Sequence, residues 1–206
     1  DYNRVATIAT DGTLSWESYA VDKTFDAAAD KTLEVVDPIA GVVNVSVNPT
    51  GTGTVRIDGG NTYVGPTTLG GGVLEVSELA PVSQPSSLGC RGDLYLEGGE
   101  FRYAGADSAT FGHPVICSVA AVTIKTTADL ALAGTLNATK TINKTGDGTL
   151  TFAGGGKCAS VNVKAGTLVF NGGDYTASSD INVVENVSDG KIHRANLRMT
   201  GGTLDI

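Results

Sequence analysis

One short phrase, Gly or Asp followed by Thr-Leu or a close variant of it, returns along most of the 206 residues. It stands at Thr13-Leu14, Thr32-Leu33, Thr54-Val55, Val73-Leu74, Asp93-Leu94, Asp129-Leu130, Thr149-Leu150, Thr167-Leu168 and Thr203-Leu204. The second residues lie 19, 22, 19, 20, 36, 20, 18 and 36 positions apart. Each 36 is twice 18, so each of those gaps reads as two periods with one marker missing. Val115-Ile116 and Ile181-Asn182-Val183-Val184 are the fillers, and Gly134-Thr135-Leu136 reads as a second strand of its period.

The stretch Gly51 to Val76 shows what a period contains. Thr54-Val55-Arg56-Ile57 and Val73-Leu74-Glu75-Val76 alternate apolar with polar residues, the pattern of strands buried on one side. Gly59-Gly60-Asn61 and Gly70-Gly71-Gly72 turn the chain because they tolerate positive φ. Neither strand holds together alone in water, so each needs neighbours stacked on it. Short strands and glycine turns at a period of 18–22 residues predict an all-β fold, a parallel β-solenoid. A β-sandwich would show turns every 8–12 residues or so and no longer period. The expectation is about ten coils, a rod on the order of 50 Å at roughly 4.8 Å per coil.

The first thirty residues depart from the phrase. Trp16, Tyr19 and Phe25 cluster there, and Asp26-Ala27-Ala28-Ala29-Asp30 interrupts the strand pattern. An open solenoid end templates aggregation unless covered, so residues 1–30 read as an N-terminal cap or assembly segment and 31–206 as solenoid. Met199 to Ile206 reads as an ordinary coil without a cap. The chain opens at Asp1 without Met and stops within the phrase, so a mature product or an excised piece is expected. The candidate assembly edges are Tyr2, Val5 and Ile8 at one end and Leu204 and Ile206 at the other, with Tyr2–Thr10 as donor or receiving strand.

Charged residues are 17 %, hydrophobic residues 41 % and aromatics 6 %, so the core must come from Val, Leu, Ile and Ala. The net charge of −8 leaves no basic patch to release counterions, which argues against nucleic acid or an anionic membrane as partner. Nothing approaches the roughly 18 apolar residues needed to span a bilayer, so no membrane insertion by this chain is expected. Cys90, Cys117 and Cys158 lack zinc spacing. One disulfide plus a free thiol, an intermolecular bond, or three buried thiols all remain open.

Three segments resemble the autotransporter-associated β-strand repeat of secreted bacterial passenger regions. The first runs through Gly51–Val76, with Asn61-Thr62-Tyr63-Val64-Gly65 inside it. The second is Ser87-Leu88-Gly89 with Leu94-Tyr95-Leu96-Glu97-Gly98-Gly99 and Phe101-Arg102-Tyr103. The third is Lys144-Thr145-Gly146-Asp147-Gly148-Thr149-Leu150-Thr151-Phe152 with Ala165-Gly166-Thr167-Leu168-Val169-Phe170. Together they cover most of residues 45–175. The resemblance implies a right-handed parallel β-helix, export from a bacterial cell, and an extracellular or cell-surface location.

The chemistry-bearing residues favour a plain reading. His113 and His193 have no G-x-S-x-G or triad context and read as surface imidazoles without a role. Glu97 with Glu100, Asp22 with Asp26 and Asp30, Asp174 with Asp180, and Glu75 with Glu97 are the acid pairs a polysaccharide-cleaving β-helix would need converged; a solvated ladder edge is the simpler account. Gly146-Asp147-Gly148 and Asp11-Gly12 read as turns rather than calcium loops. Arg91-Gly92-Asp93, an integrin-type tripeptide, precedes a strand where turn chemistry explains it. Asn44, Asn137, Asn143 and Asn186 open N-x-S/T sequons. Tyr63, Tyr95, Tyr103 and Tyr175 read as packing rather than sugar stacking.

No catalytic residue, cofactor or metal is expected. The sequence reads as a non-enzymatic secreted structural or scaffold protein of a bacterial surface or fibre, self-assembling head-to-tail or joined to the rest of a longer passenger. The alternatives are a β-helix that binds or cleaves carbohydrate, with surface glycan as partner, and an adhesin passenger fragment.

Overall fold

The computed structural model describes residues 3–8, 14–19, 22–184, 186–188 and 191–205, giving the backbone alone for 3–8, 14–19, 186–188 and 191–193. From Lys23 onward the chain winds as a parallel β-solenoid with up to three strand-bearing faces. Face A stacks Lys23–Phe25, Val45–Val47, Thr67–Leu69, Leu94–Leu96 and Val115–Cys117, then the first parts of Leu136–Thr145 and Gly156–Val163, then Asp174–Ala177 and Thr203–Asp205. Face B stacks Thr32–Val35, Thr54–Ile57, Val73–Val76, Glu100–Tyr103 and Val122–Thr126, the second parts of the same two long strands, and Ile181–Val183. Face C begins only at Ala109–Phe111 and continues through Leu130–Leu132, Thr149–Phe152, Gly166–Phe170 and Ala195–Met199.

The described residues thus make eight coils, and Thr203–Asp205 opens a ninth on Asp174–Ala177. Eight coils at about 4.8 Å give a stack of roughly 40 Å. The excess in the expected count has two sources. Leu14 lies in Leu14–Tyr19, which pairs antiparallel with Asn3–Ile8 in a hairpin rather than in a coil. The phrase also changes face: Leu33, Val55 and Leu74 belong to face B, Leu94 to face A, and Leu130, Leu150 and Leu168 to face C. Val115 and Leu130 are therefore two strands of one coil, not successive coils.

Each strand buries alternate residues. Along face B the inward line Val55, Leu74, Phe101, Ile124, Lys144 and Val163 runs in register and is fully buried. On face C, Phe111, Leu132, Phe152 and Phe170 line up inward. Tyr175, inward from face A, joins them: its ring centroid lies 4.9 Å from that of Phe170, and Phe152 and Phe170 are 5.5 Å apart. Gly156 stands between Leu136 and Tyr175 in the ladder, where a Cβ would run into the Leu136 backbone.

The corners explain the glycines. Ahead of face A, Gly65, Gly92, Gly134 and Gly154 stack where a Cβ would run into backbone carbonyl groups of the coil before. Asn48 takes a left-handed φ of 47° at the corner between faces A and B, a conformation that asparagine tolerates. Its side chain ties coils together, Oδ1 accepting from Ala27 N–H (2.8 Å) and Nδ2 donating to Gly53 O (2.9 Å).

In coils 1–3 loops replace face C. Asn61 pins them, accepting from Ile39 N–H (2.7 Å) and donating to Asp58 O (2.7 Å) and Ser87 O (3.1 Å). Two long excursions leave the corner after face B. One is the loop 77–93 of coil 3, and the other, in coil 8, is the antiparallel hairpin Asn186–Ser188 with Lys191–His193.

Candidate functional site

Because the core is consumed by packing, the outward residues carry whatever the solenoid offers a partner. The corner that follows face B is acidic. It presents one exposed carboxylate in each of coils 1–6: Asp37, Asp58, Glu78, Asp107, Asp129 and Asp147. Where face C begins, this corner holds an open groove of about 390 Å³ between Ser77, Glu78, Asp107 and Ser108. A second hollow of about 290 Å³ continues across Ser108, Thr110, Asp129, Thr149 and Thr151. Hydroxyl and carboxylate groups share the lining with Leu79, Ala106, Ala109 and Ala131, and Asp129 is held by the Thr149 N–H at 2.8 Å. Loop 77–93 lies at the coil 3 end of this polar track, and the coil 8 hairpin leaves the same corner further along.

Face B carries a second feature. Glu34, Arg56, Glu75 and Arg102 stand in register on its outer side. Arg56 bridges Glu34 (2.6 Å) and Glu75 (2.7 Å), and Arg102 bridges Glu75 (2.9 Å) and Glu100 (2.7 Å). Burial pulls the Glu75 carboxyl upward, but the two guanidinium groups win and hold it below its usual value. Further along, Asn143, Asn162 and Asn182 form an amide ladder at 3.2 and 3.1 Å. Both ladders spend their polar groups between coils, so they brace the rod instead of reaching outward.

The sequence-derived candidates disperse over this frame. Glu75 is on face B, Glu97 at the end of a face A strand, and Glu100 in an ion pair. Asp22 and Asp26 each accept from the next coil, at Asn44 and at Thr50 and Gly51, and these bonds lower both carboxyls; Asp174 takes the Thr203 hydroxyl. Among the described residues no group of acids, His and Cys gathers as a metal site.

Tyr63, Tyr103 and Tyr175 are buried, as packing residues, while Tyr95 stands half-buried on the outside of face A. Gly92 of Arg91-Gly92-Asp93 is buried in the glycine corner, leaving only Arg91 exposed. His113 is not the surface imidazole expected: it is buried, 5.3 Å from the Phe111 ring, and burial lowers its pKa against the pull of Asp93. The side chain of His193 lies outside the described residues, as do Tyr2, Ile206 and the Asp11-Gly12 turn. Val5 pairs with Glu17 and Ile8 with Leu14 in the hairpin, and Leu204 pairs with Tyr175.

All three cysteines are free thiols, Cys117 and Cys158 buried and Cys90 partly exposed. Cys117 and Cys158 occupy one inward line with Ala138 between them, about 10 Å apart by ladder spacing, too far to bridge.

Over 115 aligned residues the chain is 36 % identical to the adhesin BmaC autotransporter of Brucella suis biovar 1 (strain 1330). The match is to an adhesin. It covers 51 % of this chain and 3 % of that protein, so the chain spans a small part of its relative's length. No family model and no solved structure matches the chain. The likeness agrees with the passenger-type repeat seen in Gly51–Val76 and Lys144–Phe170, and those residues are the corners and strands of the solenoid described above.

The face B ion ladder and the burial of Lys144 were among the features that sequence reasoning missed. The face B ion ladder was legible as opposite charges one coil apart, at Glu34, Arg56, Glu75 and Arg102. Lys144 was legible as a lysine in phase with inward Ile142, on the apolar side of the alternation.

Proposed function

We propose that this chain is a stretch of a non-enzymatic, secreted bacterial adhesin passenger, located at the cell surface or outside the cell, whose solenoid acts as a stalk and presents its acidic corner to a partner. The observation that supports this most is the likeness to an autotransporter adhesin, joined to a parallel solenoid whose described polar clusters are braces between coils. The partner surface is basic, matching the carboxylates of coils 1–6. The test is adhesion of cells displaying the chain, with Asp107→Lys and Asp129→Lys as variants. Loss of adhesion by the folded variants supports the reading; undiminished adhesion removes the acidic corner from it.

Head-to-tail assembly is the accompanying reading. Inward positions that are fully buried within the stack open in coil 8: Val183 is 43 % exposed against 0 % for Val163, and Met199 44 % against 0 % for Phe170. At coil 1, Leu33 and Val36 are exposed beside a hollow of about 430 Å³. A further coil would cover these groups, supplied by a continuing chain or by a second copy. Light scattering followed by negative-stain electron microscopy tests it: filaments repeating at about 40 Å support self-assembly, and a discrete monomer overturns it.

The hydroxyl-lined groove favours a second reading, binding of a surface glycan, which a glycan array with Thr151→Trp as a blocking variant would decide.

A further inference from the structure

We propose that the corner joining coils 6 and 7 is a built site for a primary alkylammonium group, which the chain occupies with its own Lys144. The position is one where the solenoid demands an apolar residue. Its neighbours in register are Ile124 before it and Val163 after it, and all three are fully buried. Yet the lysine is satisfied there. Nζ donates to Thr145 O (2.8 Å) and Gly146 O (2.8 Å) within its own coil and to Ala165 O (3.2 Å) of the next. An ammonium has three N–H donors and no acceptor, so the count closes with none to spare.

The corner is shaped around that group. Gly166 has φ +68°, and a Cβ there would stand 2.9 Å from Nζ and 2.5 Å from Gly148 O. Any side chain at 166 would therefore invade the ammonium's place. Between faces B and C, coil 4 has residues 104–108, coils 5 and 6 have 127–129 and 146–148, and coil 7 only 164–165. A longer corner lets carbonyl oxygens turn to water or to loop N–H groups. Here the carbonyl oxygens of Thr145 at the strand end and of Gly146 and Ala165 in the two corners all meet the amine, and a buried acceptor without a donor is costly.

The charged groups facing the amine from the packed elements are Asp147 on its own corner and Asp129 on the previous one, both favouring the ammonium. Burial outweighs them and brings the amine down to about 8. The unfolded lysine titrates near about 10.4. Between these values the lysine is protonated in the unfolded chain and not in the folded one, so its own contribution to stability rises with pH across the window.

The experiment uses thermal unfolding of the whole chain. Lys144→Met keeps the stem and removes the donors, and is expected to lower the midpoint by roughly 5–10 °C. Lys144→Ala leaves out three methylenes and the amine, the outline of n-propylammonium. Excess n-propylammonium is expected to raise the midpoint of Lys144→Ala, or to restore its folding if it does not fold alone, while tetramethylammonium at equal ionic strength does not. Relative to Lys144→Met, which keeps every other titrating group, the wild type is expected to gain stability from about pH 8 upward. Equal stability of Lys144→Met and wild type, or equal effects of the two ammonium salts, would overturn the proposal.

Discussion

Coils 1–3 and coils 4–8 solve the same closure problem differently. In coils 4–8 the third side is a strand face, and its inward line is filled by Phe111, Phe152 and Phe170 with Tyr175 against them. In coils 1–3 the third side is loop, and its backbone is held by Asn61 reaching into coils 1 and 3. One half closes by burying apolar area, which is tolerant of direction. The other also buries Ile39, Val43, Tyr63 and Leu88, and adds directional hydrogen bonds from a side-chain amide. Polar contacts permit the long loop 77–93, because side-chain amides can satisfy irregular backbone that a strand ladder cannot.

The contrast can be broken most forcefully at Phe152. Phe152→Ala should cost about 3–5 kcal/mol, and in a stack with nearest-neighbour coupling the damage should stay local. Hydrogen exchange should show coils 5–8 unprotected while coils 1–3 keep their protection; uniform loss would mean that the two halves are one cooperative unit. Asn61→Ala strands buried backbone groups of coils 1 and 3 and should cost about 1–3 kcal/mol, with exchange rising in loop residues around Ile39 and Ser87 rather than in face C. Smallest is Glu75→Gln in the ion ladder, where partly exposed pairs contribute about 1 kcal/mol or less. Glu75 has a lowered folded pKa, so its contribution is present at neutral pH and lost as pH falls through the folded value. The variant should match the wild type in acid and differ only above that range, a comparison that urea unfolding at several pH values would resolve.

The solenoid itself was legible because alternation and glycine turns are local. Thr54–Ile57 and Val73–Val76 bury Val55, Ile57, Leu74 and Val76 as their pattern requires. What was not legible was which face a strand belongs to. Faces A, B and C draw on the same Thr, Val and Leu chemistry, so Leu94 and Leu130 look alike although one serves face A and the other face C. Polar residues inside the core were hidden for a different reason. Composition places His113 and Lys144 outside, and only the phase of the alternation, or the presence of carbonyl partners from another coil, moves them in. The acidic corner was hidden too, because its carboxylates follow face B at unequal distances in each coil.

The line that seats Cys117, Ala138 and Cys158 has a kinetic consequence. In the finished stack the two sulfur atoms are kept apart by a whole coil, and burial pushes the Cys117 thiol up to about 12, which leaves it inert. In the unwound chain nothing separates them. Where such a chain meets an oxidant before it has stacked, a bond between these two would clamp coils 5 and 7 together and shut coil 6 out. Winding and oxidation are therefore rivals, and only the chain that winds first is left with two thiols that can no longer find each other.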